Sequence, residues 1–362
     1  MSELAATESI TAIPALPAVV PAHRAGLLQG ILFAILGVVV MYIGLVPMGH
    51  VVGIVKVPVV LVSVAFLYLA CDRVGKAIRG QLFDTGFWLS LTWLILLVAA
   101  AITAALLPLG EYRNASKTIG TPGNLRPDLL SSHPLGTNNI SLDLLSRSIY
   151  AARVSLGTAL FAVVVSIVIG VTIGMLAGYF RGWLDAVVGL LTDTSLAVPA
   201  LVLLIAIAAV LGVPKSVPEA IVKEGAALAI VGIPTVIRLA RANTLALSQR
   251  EFVLASRALG ANNRRILVKH LLPNVMLPII SYAFIIIAVL IVAEGSLAFL
   301  GLGLQQPQPT WGNMIAEGTL TVLRTTPHIP LVPGIFMFLT VYSFNRVGER
   351  IRRLWDPREA TI

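Results

Sequence analysis

The chain has 362 residues, 57% of them hydrophobic and only 12% charged, with a mean hydropathy of +0.92. An ordinary soluble domain carries about 25% charged residues, and a core of this size cannot hide so much apolar surface from water. The composition excludes a soluble enzyme, a disordered chain and a secreted disulfide scaffold, and predicts an all-α polytopic membrane protein. The net charge of +9 fits that class, because Lys and Arg mark the cytoplasmic side of a membrane protein. The lipid bilayer is therefore an expected partner and nucleic acid is not.

A single cysteine, Cys71, excludes an internal disulfide. The five histidines, His23, His50, His133, His270 and His328, have no pair at metal-ligand spacing, so no metal site is expected. Gly75-Lys76 is followed by Ala77, and Ala70 stands where a nucleotide-binding loop needs its first glycine. The chain is accordingly expected not to hydrolyse ATP and to be no enzyme.

In chain order, residues 1–26 form an Ala/Pro/Thr-rich tail, expected in the cytoplasm. Apolar stretches follow at 27–46, 51–71 and 87–107, giving three N-terminal spans within 27–109. Lys56, near one end of the second, is expected to snorkel to the interface. Residues 110–147 are rich in Asn, Ser, Pro and Gly and form a polar loop. Further spans are predicted at 154–179, 186–211, 226–239, 275–304 and 329–344, within a core of 148–348 and before a tail of 349–362. The stretch at 226–239 is shorter than the roughly 20 residues a span needs, and is expected to extend toward 221 and 242. The total is about eight spans. Placing the N-terminus inside puts most basic residues on the cytoplasmic side, so the predicted topology is N-in, C-in.

Three features are candidates for function. Ser166, Gly170, Gly174 and Gly178 recur every fourth residue and form a small-residue face that admits another backbone. It reads as packing inside the bundle, or alternatively as a gliding or dimer interface. Asp193 and Glu294 are the acids inside the predicted spans, and an intramembrane carboxylate is a candidate for the translocation path. The bland alternatives are an ion pair with a neighbouring Arg for Asp193, and water or a backbone partner for Glu294. The third feature is the basic segment QREFVLASRALGANNRRILVKHLLPNV, residues 249–275, within a loop of 243–274. Residues 251–259 have helical spacing, with Phe252, Ala255 and Leu259 on one face. Gly260 should break that helix, Asn262-Asn263 suits a turn, and a second basic helix over 264–272 should stop at Pro273. Two short helices between spans suggest docking to another protein; a basic helix lying on anionic lipid is the alternative.

This loop resembles the EAA loop of bacterial ABC importer permeases, whose pattern is E-A-A-x-x-x-G, nine residues, then I-x-L-P. Leu254-Ala255-Ser256 stand at E-A-A, Gly260 at the glycine, His270 at the isoleucine and Leu272-Pro273 at the end, so the Glu and the Ile are replaced. HPLGT at 133–137, LLSRSIYAARVSL at 144–156, LAGYFRGWLD at 176–185, AEGSLAFLGLGLQQPQPTWGNMIAEG at 293–318 and FNRVGERIRRLWDPR at 344–358 are similar to the C-type permease of oligopeptide/dipeptide/nickel importers. The resemblance covers roughly residues 130–358. It implies a type I ABC importer permease fold with two extra N-terminal helices, in a bacterial or archaeal cytoplasmic membrane. It implies pairing with a second, B-type permease, an ATPase dimer that holds the ATP and Mg, and an extracytoplasmic substrate-binding protein, with peptides or a related small solute as cargo. Glu251, Ala255, Ser256, Ala258, Gly260, Leu272 and Pro273 are then the residues expected to couple the chain to the ATPases.

There are two departures from the family pattern. HPLGT is usually followed by Asp and then Gly-Arg-Asp; here 138–143 reads Asn-Asn-Ile-Ser-Leu-Asp, and only Asp143 fits. Relatives usually have one span before the outer loop, and this chain has three. Two competing readings are weaker. A proton-coupled transporter using Asp193 and Glu294 calls for an inverted repeat that the sequence does not display, and a non-transporting scaffold leaves the docking loop unexplained.

Overall fold

The computed structural model describes residues 22–45, 53–79, 84–128 and 131–355. The terminal tails at 1–21 and 356–362, the side chains of His23 and Lys56, and His50 lie outside the described residues. Among the described residues the regular elements are helices, and the one pairing of extended backbone is an antiparallel bridge between Thr137 and Asp143. The chain divides into two compact units, residues 1–88 and 89–362.

The first unit is a hairpin of α1 (Ala22–Leu45) and α2 (Gly53–Arg79). Glycines bring the two helices close in antiparallel register: Gly37 faces Leu67, Gly30 faces Val74, and Gly26 faces Ala77. The Phe33 and Phe66 rings stack 6.0 Å apart. Leu28, Ile31, Leu32 and Ile35 point outward and exposed, as suits a lipid-facing surface.

Most of α3 (Thr85–Thr103) belongs to the second unit, so the division falls inside the third predicted span and not after residue 109. Trp93 Nε1 donates to Thr340 Oγ1 at 3.1 Å and packs edge-on against Phe336. Arg153 donates to the carbonyls of Ala101 and Ile102 at the far end of α3.

The spine of this unit is the pair α4 (Leu144–Phe180) and α7 (Val217–Leu247). Asp143 caps α4 by accepting the Ser146 N–H at 2.7 Å, and at 37 residues the helix is about 55 Å long. Gly157 meets Ile221, Gly170 meets Val236, and Gly178 meets Thr244. Both numbers rise together, so the two helices run parallel. Between them, α5 (Gly182–Ala197) and α6 (Ala200–Leu211) bend by 94°. Parallel packing requires this pair to carry the chain back along the length of α4, which makes it one broken span. The span predicted at 186–211 is found as this bent pair, broken between Ala197 and Ala200. Pro199 causes the break, since it lacks an N–H and holds Val198 extended (φ −78, ψ 131).

After α7 come α8 (Glu251–Ala258), a short α9 (Asn263–Arg265), α10 (Leu272–Phe299), α11 (Trp311–Ala316), α12 (Leu320–Thr325) and α13 (His328–Trp355). α10 and α13 pack antiparallel, with Gly348 against Phe284 and Gly295 against Met337. α13 runs past residue 348 to Trp355. One end of the bundle gathers the loop 104–143 and the segment 300–327; the other gathers α8, α9 and the end of α13. Among the described residues five helices are each long and apolar enough to cross a membrane, and the α5–α6 pair, taken as one span, makes six. The prediction of about eight includes the hairpin, where α1 contributes a shorter apolar stretch, Gly26–Tyr42.

Candidate functional site

Helix α8 carries exposed apolar side chains. Val253 is buried and anchors it, while Phe252, Leu254 and Leu259 are exposed, Leu259 to 88%. Glu251, Ala255 and Ala258 are exposed on the same short helix and Ser256 is half-buried. Glu251 lies in the first turn, where its charge suits the helix dipole. The helix ends in a left-handed cap: Gly260 has φ +80, its N–H donates to Arg257 O, and the Ala261 N–H donates to Ser256 O, both at 3.0 Å. This is the Schellman arrangement that closes a helix on glycine. Asn262 then caps the next helix by accepting the Arg265 N–H at 2.9 Å.

No stop follows at Pro273. One unbroken helix runs Asn263–Phe299, passing through a π-helical stretch, Ile266–Leu271, in which the Leu272 N–H reaches Leu267 O. The expectation of a second helix ending at Leu272-Pro273 is therefore corrected. The wider turn shifts the hydrogen-bond register where proline has no N–H to give, and Asn274 Nδ2 donates to the His270 carbonyl at 2.6 Å. Ile266 and Leu271 are fully buried. Tyr179, at the end of α4, donates to Asn263 Oδ1 at 2.8 Å and receives Arg257 at 3.3 Å. Helix α8 is thus tied at its base to α4 and, through a continuous helix, to α10.

At the opposite end a polar clasp joins three segments. Arg147 is fully buried and donates to Glu317 Oε1 at 2.6 Å. Gln306 donates to the same oxygen at 2.9 Å, and Asn138 donates to Glu317 Oε2 at 3.2 Å. Asn138 also accepts the N–H groups of Ile140 and Leu142. An Asp at 138 would place a carboxylate against Glu317; the amide supplies a donor instead. Asp143, besides capping α4, bonds to His133 Nδ1 at 3.0 Å. Spacing in the sequence did not reveal Arg147, Glu317 or Asn138 as one group, because the first two are 170 positions apart.

The small-residue face on α4 is spent on α7. Ser166 Oγ donates to Ala229 O at 3.2 Å. A Cβ at Gly174 would stand 2.6 Å from Ile237 O, and one at Gly178 would stand 2.8 Å from Arg241 O. Of the intramembrane acids, Asp193 is 70% exposed and paired with Arg238 at 2.7 Å, whereas Glu294 is enclosed at 0% exposure. A third acid, Glu224, is also buried, in the first turns of α7; it lies in the expected extension of the 226–239 stretch toward 221, outside the apolar run itself. Among the described residues no three His, Cys, Asp or Glu side chains cluster as for a metal ion.

Comparison with known proteins supplies the family. The model for binding-protein-dependent transport system inner membrane component matches residues 170–361. The dipeptide transport system permease protein DppC of Alkalihalophilus pseudofirmus is 34% identical over 270 residues, 75% of this chain and 86% of that protein. The glutathione transport system permease protein GsiD of Pectobacterium atrosepticum is 37% identical over 228 residues, 63% of this chain and 73% of that protein. Its namesake in Escherichia coli O6:K15:H31 is 37% identical over 226 residues, 62% of this chain and 72% of that protein. The chain belongs to the family of binding-protein-dependent transport system inner membrane components, as a non-catalytic permease subunit of an ABC importer.

Proposed function

We propose that the chain forms, with a second permease, the path by which short peptides enter the cytoplasm, driven by a separate ATPase dimer and fed by an extracytoplasmic binding protein. The observation that carries this reading is the exposed side of α8 with its apolar side chains Phe252 and Leu254 and, at the cap, Leu259, on a helix held at its base by α4 and by the unbroken helix Asn263–Phe299. A partner that grips this face moves α10 as a lever, a two-state element biased by ATP binding elsewhere. Glu251, Ala255, Ser256, Ala258 and Gly260 form the docking unit, and Leu272-Pro273 its junction with the span. The orientation is N-in, C-in, with α8 in the cytoplasm and the polar clasp facing the binding protein. Peptide cargo is supported by the relatives, whose names specify dipeptide and glutathione transport. ATP and Mg belong to the partner subunits.

The test is the reconstituted complex with its binding protein, assayed for ATP hydrolysis and uptake with dipeptides, tripeptides, glutathione and longer peptides. Stimulation by at least one peptide class supports the reading. Stimulation only by a non-peptide solute would overturn the cargo but leave the permease role standing.

A further inference from the structure

Glu224 on α7 and Glu294 on α10 are 3% and 0% exposed, and none of their four carboxylate oxygens makes a full hydrogen bond among the described residues. Two hydroxyls on α4, Ser155 Oγ and Thr158 Oγ1, are fully buried and likewise lack a full hydrogen bond. They lie one helical turn apart, on one face. Ser155 faces Glu294, Glu224 is within electrostatic reach of Glu294, and the Leu304 backbone faces Glu224. Val154, Ala220 and Leu304 pack into one cluster beside them. A Cβ at Gly225 would stand 3.3 Å from Thr158 O, which shows how closely α4 and α7 approach here. Glu294, Ser155 and Glu224 therefore lie near one another where three helices meet, inside the bundle, at the end that carries the polar clasp, with Thr158 one turn along α4 from Ser155.

The basic side chains nearby are engaged elsewhere. Arg147 is bonded to Glu317, Lys223 to Glu219, and Arg153 to the carbonyls of α3. Two buried carboxylates without a counter-charge are strongly unfavourable. A charge of +2 cancels them, whereas a monovalent ion leaves one uncompensated. Carboxylates and hydroxyls are hard oxygen ligands, and the four carboxylate and two hydroxyl oxygens reach the about six that Ca²⁺ takes. We propose that Glu224, Glu294 and Ser155, completed by Thr158, bind one divalent hard cation, Ca²⁺ by ligand type, which clamps α4, α7 and α10 together.

The test uses the full-length chain purified with its partner permease, stripped by a chelator. It is titrated with Ca²⁺ and separately with Mg²⁺ at constant ionic strength, at pH 7 and pH 5. Binding of radioactive Ca²⁺ and the Tm are read together. The expected result is one Ca²⁺ per chain and a saturable Tm rise of at least ~2 °C, both lost in the Glu224→Gln/Glu294→Gln double variant. That variant should fold without the ion, because two amides carry no charge. Ser155→Ala should weaken Ca²⁺ binding several-fold at unchanged stoichiometry. A wild-type protein that binds no Ca²⁺ and ignores both cations overturns the proposal; if its Tm instead rises from pH 7 to pH 5, and the double variant loses that rise, protons occupy the pair. Ca²⁺ binding that persists unchanged in the double variant overturns it too, by placing the ion elsewhere.

Discussion

Arg147 and Glu317 are 170 positions apart and meet at 2.6 Å, with the guanidinium fully buried. Among the described residues, Nε and Nη1 of Arg147 have no hydrogen-bond partner and Glu317 is the acid paired with its Nη2. The pair pins the start of α4 to the chain just beyond α11. Removing one partner of a buried pair strands the other, at a cost of about 3–5 kcal/mol. Arg147→Ala and Glu317→Ala should each sharply lower the Tm and membrane level of the protein. Glu317→Gln should cost less, because its amide oxygen still accepts from Arg147. Alanine variants with wild-type Tm would show that the clasp does not hold this end of the bundle.

The α4–α7 contact makes a second prediction. A Cβ at Gly174 would stand 2.6 Å from Ile237 O and 2.8 Å from Ala240 Cβ, so α7 must shift to admit it. Overpacking of this kind costs about 1–3 kcal/mol. Gly174→Ala should therefore lower the Tm, while Gly189→Ala, whose Cβ meets nothing within 4 Å, should leave it equal or slightly raised. Equal effects of the two would remove close packing as the reason for the small-residue face.

Apolar run length made most of the helices readable, and the left-handed position at Gly260 was readable from its place after a helical pattern. Four features were not read, each for a physical reason. Averaged hydropathy runs straight over Pro199, although the proline itself was the signal for a break. The start of α7 carries Glu219, Lys223 and Glu224, which confine the apolar run to 226–239 and leave Glu224 in its expected extension toward 221. Ser216, with Pro218 and Glu219 after it, marked the true start: Ser216 Oγ accepts the Glu219 N–H. The place of Glu224 outside the apolar run hid it as an intramembrane acid, and with it half of the buried acidic pair. Pro273 was read as a stop because a proline usually ends a helix, but a π turn absorbs its missing donor. The clasp depends on tertiary contacts that no local spacing reports.

The hairpin boundary sharpens a truncation. Asp84 Oδ1 accepts the Phe87 N–H at 3.0 Å and so caps α3. Removing residues 1–83 deletes the hairpin and keeps that cap. Transport should persist at a reduced but measurable level in the truncated chain. Complete loss, in a protein that still inserts and assembles, would place part of the transport machinery in α1–α2.

Topology can be tested with single cysteines after Cys71, which is exposed, is replaced by serine. Asn124 and Asn262 are both exposed, at opposite ends of the second unit. Asn124→Cys should react with an impermeant thiol reagent added to intact cells. Asn262→Cys should react only after the membrane is opened. The reverse pattern would invert the orientation and remove α8 from the reach of cytoplasmic ATPases.

Gly260 gives the sharpest test of coupling. Its φ of +80 is a conformation that side chains with a Cβ adopt at a cost, and a Cβ there meets nothing within 4 Å. The penalty is therefore backbone strain at an exposed cap, about 1 kcal/mol for Ala and more for a β-branched residue. The fold can absorb that, but the Schellman cap cannot keep its geometry, and the cap sets how α8 leans on the helix that follows. Gly260→Val should insert normally and still pair with the second permease. Its transport should fall sharply, and substrate should no longer stimulate ATP hydrolysis. Gly260→Asn, which tolerates the left-handed region better, should retain more of both activities than Gly260→Val. A basic helix lying on lipid would respond to neither change, because its charged face is untouched. Assembly, uptake and ATPase activity measured on the same preparation separate the cases, and wild-type coupling in Gly260→Val would remove α8 as the transmission element.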